Sequence, residues 1–147
     1  MLKSILGVIV GFIVMSIFAF AVCTCAYLGL GVERVFQPES YDVSTIWIVL
    51  LIAIALIGGI IGGFVCAAIS KSKGACTALV VLVLVFGVIG AITAAMKEHP
   101  SAARSGDVSS FEAMKLAQTP AWLCYLNPVL GAVGVMLGAR MKKLPAA

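Results

Sequence analysis

The sequence predicts an all-α fold, an integral membrane four-helix bundle. Three observations carry that expectation. First, 63% of the 147 residues are hydrophobic and only 11% are charged, with a mean hydropathy of +1.18. Soluble domains are about half apolar and about a quarter charged, and a small one keeps too much surface to hide so much apolar area from water. Second, four stretches lack any charged residue: between Lys3 and Glu33, Asp42 and Lys71, Lys73 and Lys97, and Lys115 and Arg140. Each exceeds the ~20 residues a helix needs to cross the hydrocarbon core at 1.5 Å per residue. Third, the acidic residues are confined to two loops that such helices would place on one side.

Transmembrane strands would alternate apolar and polar residues, and these runs do not. The β-branched stretch Val80–Phe86 would favour a strand in water, but unpaired strand edges are too costly in lipid, so helix is expected there as well. The chain is therefore read as one transmembrane domain, 1–147, with spans over about 4–32, 44–70, 74–96 and 120–140. Outer loops then cover about 33–43 and 97–119.

The first span resembles a signal peptide in having Lys3 ahead of it and small residues at Ala19 and Ala21. Its apolar run outlasts the 7–15 residues of a usual signal-peptide core, which predicts a retained helix. Orientation follows from the basic residues. One face carries Lys3, Lys71, Lys73, Arg140, Lys142 and Lys143 and no acid. The other carries Arg34, Lys97, Arg104 and Lys115 with all six acids: Glu33, Glu39, Asp42, Glu98, Asp107 and Glu112. The positive-inside bias then puts both termini in the cytoplasm, and the expected location is the plasma membrane, in a bacterium the inner membrane. This topological role also accounts for the net charge of +4, so no nucleic-acid partner is expected.

The aromatic residues Tyr27, Trp47 and Trp122 fall near the outer helix ends, and Tyr41 precedes the second span. Amphipathic rings favour the headgroup level, which predicts interfacial anchoring. In the first outer loop Asp42 and Ser44 are candidate N-caps for the second helix. In the second, Ser109-Ser110-Phe111-Glu112 matches a capping box. Phe111, Met114 and Ala117 then share one face, predicting a short amphipathic helix on the membrane surface or over the bundle. Pro120 suits the first turn of the fourth helix, where its missing N–H costs nothing.

Helices in lipid associate by close approach, which small residues four apart permit. Gly7 and Gly11 provide this in the first span, Gly58, Gly59, Gly62 and Gly63 in the second, Gly87 in the third, and Gly134 and Gly138 in the fourth. The two adjacent stripes of the second span predict a central position. The offset that carries Trp47 onto Trp122 also carries Gly59 onto Gly134 and Gly63 onto Gly138. That suggests two tandem helical hairpins of about 75 residues in a parallel repeat. Coincidence would give the same few matches, because glycine is abundant.

Chemistry-bearing residues are scarce in the spans. Apart from Arg140 at the very end of the fourth, none holds an ionisable acid, lysine, arginine or histidine, which weighs against proton-coupled transport and charged pores. His99 lies in a loop, so no span offers an imidazole to a haem or pigment, and no spacing assembles a zinc site. The five cysteines sit in apolar segments without a Cys-x-x-Cys pair. They read as packing residues, with a disulfide between the first and fourth spans as the alternative. Asn127-Pro128 is the polar break at depth. Pro128 removes a backbone bond and should kink its helix, while Asn127 is expected to bond a freed carbonyl or a neighbour such as Thr24. The triplet Asn127-Pro128-Val129 is similar to the Asn-Pro-Ala motif of aquaporins over three residues only, and those channels need two copies and more spans.

No catalytic, cofactor or metal residue is expected. The functional expectation is a non-catalytic accessory or structural subunit in the lipid bilayer, packing through its glycine faces with other membrane-protein subunits or as a homo-oligomer. The alternative is a small transporter or channel for neutral or apolar solutes.

Overall fold

A computed structural model describes residues 2–38, 40–96 and 117–142, with the side chain of Val32 left aside. Helices dominate: α1 (Leu2–Leu30), the single turn α2 (Val32–Val35), α3 (Thr45–Ser70), α4 (Lys73–Ala95) and α5 (Ala121–Met141). The four long helices contain 29, 26, 23 and 21 residues, roughly 31–44 Å at 1.5 Å per residue. All four are long and apolar enough to cross a membrane. Their ends lie within two residues of the predicted span limits. The predicted amphipathic helix of the second outer loop, with His99, Asp107, Glu112 and the capping box, lies outside the described residues, apart from Ala117.

Local chemistry sets the helix ends. α1 stops at Gly31, whose φ of +71° is reached freely only by a residue without Cβ. The Gly31 N–H closes the turn on the Tyr27 carbonyl at 3.0 Å. At the start of α3, the Ser44 hydroxyl accepts from the Trp47 N–H at 3.3 Å. It also donates to the Arg34 carbonyl at 2.6 Å, so one side chain caps α3 and ties down the loop before it. Ser44, not Asp42, is thus the cap. Between α3 and α4, Lys71 takes a left-handed conformation with φ of 50°, and its N–H reaches the Ala67 carbonyl at 3.0 Å. Only Lys71 and Ser72 separate the two helices.

Despite that short connection, α3 packs mainly on α5 and α1, and α4 packs mainly on α5. Contacts of α4 with α3 and with α1 are sparse. The first core cluster gathers Cys66 and Ala67 of α3, Cys76, Leu79 and Val83 of α4, and Val135 and Ala139 of α5. Burial grades across the helices: 39% of the apolar window of α5 is buried but only 11% of that of α1. α5 is therefore the most enclosed of the four long helices and α1 the most peripheral.

At the opposite end, the segment joining α1 to α3 folds into its own small core. Tyr27, Val35, Phe36 and Val43 are buried together, with Leu30, Trp47, Ile48 and Ala117 against them. Tyr27 meets Phe36 and Trp47 edge-on at ring-centre distances of 6.5 and 6.0 Å. Backbone bonds hold this cap together: Ser44 N–H to Val35 at 2.7 Å, Gln37 N–H to Asp42 at 2.8 Å, and Gln118 N–H to Tyr41 at 2.9 Å. Here the structure departs from the interfacial-anchor expectation. Tyr27 is buried against the loop, Tyr41 is buried within it, Trp47 is half-buried, and Trp122 is the well-exposed one of the four. The reason is tertiary. The loop returns across the ends of α1 and α3, and the chain at Gln118 pairs with it.

Candidate functional site

The sequence singles out two features, the glycine stripes and Asn127-Pro128, and the structure connects them. Gly7 and Gly11 of α1 face α3. A Cβ on Gly7 would stand 2.8 Å from the Ser70 Cβ, and one on Gly11 would stand 2.8 Å from the Gly62 carbonyl oxygen. Gly62 returns the contact, with a Cβ there lying 2.8 Å from the Met15 Cβ and 2.9 Å from the Gly11 carbonyl oxygen. Gly58 is looser, facing the Phe18 ring at an ordinary 3.4 Å. At Gly7, Gly11 and Gly62 a Cβ would meet backbone or a neighbouring Cβ at about 3 Å or less, so a side chain there would force the helices apart.

The other stripe of α3 meets α5, and the contacts are reciprocal. A Cβ on Gly59 would strike the Gly131 carbonyl oxygen, and one on Gly134 would strike the Leu56 carbonyl oxygen. Farther along, Gly63 lies against the Val135 carbonyl and Gly138 against the Ile60 carbonyl. The offset relating Trp47 to Trp122 carries Gly59 to Gly134, Leu56 to Gly131, Gly63 to Gly138 and Ile60 to Val135. Each contact made by α3 on α5 therefore has its counterpart made by α5 on α3. Two parallel helices related by a twofold axis along their length would show this pattern. Gly131, Leu56 and Val135 were not singled out from the sequence. The spacing of Gly131, Gly134 and Gly138 was the available signal for Gly131, whereas Val135 contributes only backbone.

Gly87 of α4 fits against the ring of Pro128, its imagined Cβ falling onto the Pro128 Cβ and Cγ. A residue read as a helix breaker is thus also a packing knob, buried within the continuous helix α5. Asn127 beside it is half-buried, and its Oδ1 is fully shielded from solvent without a hydrogen-bond partner. The expected bond to Thr24 is not made: the Thr24 hydroxyl donates instead to the Phe20 carbonyl of its own helix at 2.8 Å. A buried acceptor left unmade costs about 1–3 kcal/mol.

Asn127 and Pro128 line an open cleft of about 400 Å³ between α1 and α4, floored by α5. Phe12, Met15 and Ala19 form the α1 wall, and Val83, Phe86 and Ala91 the α4 wall. Phe12 and Phe86 approach at 5.7 Å between ring centres. Among the described residues no charged side chain lines the cleft. Its lining is mainly apolar, with Ser16, Cys124 and Asn127 as its polar members.

Among the described residues, no three His, Cys, Asp or Glu side chains gather in a metal-binding group. All five cysteines are free thiols. Cys66 and Cys76 lie together inside the first core cluster, while Cys23 and Cys124 are free thiols toward the opposite ends of α1 and α5. Compared with known proteins, the chain matches no family model, no curated protein and no solved structure.

Proposed function

We propose that this chain is a multi-pass membrane protein, a four-helix bundle of two tandem hairpins with both termini in the cytoplasm, and that it serves without catalysis as a structural or accessory subunit of the plasma (bacterial inner) membrane. The observation behind the accessory role is the outer face of α1. Ile5, Ile9, Ile13 and Ile17 recur at every fourth position and are 48–62% exposed. An apolar ridge of this extent is expected to face lipid or another helix. The nine glycines all have their neighbours inside the chain, Gly58 the most loosely, so the partner surface is better sought on this ridge than on the glycines. The reciprocal α3–α5 contacts support the two-hairpin origin.

The test is photo-crosslinking in native membranes from a probe at Ile9 or Ile13, followed by mild solubilisation. A second polypeptide, either another copy or a larger subunit, should be captured at both positions. Crosslinks to lipid alone, with a monomer after solubilisation, would sink the accessory role.

The cleft at Asn127 favours a second reading, a transporter or channel for neutral or apolar solutes. Proteoliposomes should then pass such a solute faster than empty liposomes, and Asn127→Leu should remove the difference. Equal flux with and without the protein eliminates this alternative.

A further inference from the structure

The four-helix arrangement leaves a second cleft, of about 500 Å³, between the start of α4 and the end of α5. Lys73, Arg140 and Lys142 line it together with the apolar Val80, Met136 and Ala139, and with Cys76 and Thr77. We infer that this cleft binds one anionic phospholipid, its phosphate held by Lys73 and Arg140 and an acyl chain lying along Val80 and Met136; the inference rests on the membrane-spanning reading above.

Charge complementarity selects the occupant. The sequence contains no Asp or Glu between Asp42 and Glu98, and none after Glu112. Asp42 belongs to the loop at the far end of α3, so among the described residues no carboxylate side chain at this end of the molecule neutralises the three cations. Lys142 is positioned by Phe64, its Nζ lying 5.8 Å from the ring centre, a distance at which a cation is attracted to the aromatic face. Lys73 and Arg140 approach from different helices. Both line the same cleft, which offers two cations to one phosphate group.

The positive-inside bias explains why cations lie at this end but not why three of them line one cleft. Lys3 and Lys71 share the end and do not line it. The apolar lining decides between lipid and free phosphate. A soluble anion would leave Val80 and Met136 uncovered, while an acyl chain covers them and brings the phosphate to the cations. Basic pockets between transmembrane helices at this membrane surface recognise anionic headgroups, with each cation near the surface adding to the attraction.

The full chain, purified in a neutral detergent, would be examined by native mass spectrometry and thermal melting. Phosphatidylglycerol, phosphatidylcholine with the same acyl chains, and sodium phosphate would be added separately. One phosphatidylglycerol should remain bound through delipidation and raise the melting temperature. Lys73→Gln with Arg140→Gln should weaken its apparent affinity by about tenfold or more, whereas Lys3→Gln should not. Should the double variant fail to fold, Arg140→Gln alone must still reduce the selectivity. Equal binding of both lipids, unchanged affinity in these variants, or equal stabilisation by sodium phosphate alone would overturn the inference. Recovery of the wild-type chain in the aqueous layer after detergent phase separation would overturn the membrane reading and this site with it. Detergent-layer protein that ignores headgroup charge would overturn only the site.

Discussion

The contact between α3 and α5 and the flank between α1 and α4 use similar residues to opposite effect. Both present glycines at spacings that permit close approach. Between α3 and α5 the glycines face one another, so Gly59 meets Gly134 and the backbones touch over two turns. Along α4, Gly87 meets the Pro128 ring of α5, and Gly90 has nothing within 4 Å of its Cβ position. Phe12 and Phe86 then bridge part of the gap between α1 and α4, leaving a cleft. The lesson concerns alignment. A glycine shortens the distance between helices only where the partner helix presents backbone or another small residue at the same height. Van der Waals contact is the main attraction available in lipid, so the aligned contact should be the rigid half of the molecule and the α1–α4 flank the adaptable half.

Substitutions can break that contrast. The largest effect is expected at Gly138→Val, where the added atoms would strike the Ile60 carbonyl and lie near the Phe64 N–H at 2.8 Å. Backbone cannot rotate aside, so destabilisation should be near the upper end of the overpacking range, about 3 kcal/mol, read from unfolding in detergent. Little loss would mean that α3 and α5 are less closely aligned than described.

Gly87→Ala should cost less, about 1–2 kcal/mol, because it meets a proline ring rather than a carbonyl. Pro128→Ala should recover part of that loss when combined with it. Strictly additive losses in the double-mutant cycle would separate the two residues.

A still smaller change, of opposite sign, is expected at Asn127→Leu. This removes an unpartnered acceptor and fills a similar volume, so unfolding should be neutral or more difficult by about 1 kcal/mol. A clear destabilisation would reveal a hydrogen bond to Asn127 that stabilises the fold. Gly90→Ala should change stability by no more than about 0.5 kcal/mol, since its Cβ enters open space. A cost comparable to that of Gly87→Ala would close the cleft and end the contrast.

The helices themselves were legible because helix length and freedom from charge are properties of contiguous sequence. The cap at Ser44 was legible too, since a hydroxyl three residues before a waiting N–H is a local relation. Glycine spacing announced close approach without naming the partner, because a stripe of small residues fits any smooth surface. The burial of Tyr27 and Tyr41 was not readable, as it depends on Gln118 pairing with a loop more than 70 positions earlier in the chain. The cleft at Asn127 was equally hidden. Asn-Pro in a helix predicts a freed carbonyl, but an orphaned side-chain oxygen is visible only once every neighbouring helix is in place.

By itself, the sequence determined four long apolar helices, their limits, and a segregation of acids from one end. Those properties follow from side-chain transfer energies and from the regular rise of a helix. Only the tertiary structure decided that α4 leans on α5 rather than on α3, to which two residues join it. Only it matched Gly59 with Gly134, and Gly63 with Gly138, across one interface. Which faces meet depends on simultaneous packing of all four helices, and no stretch of one helix contains that information.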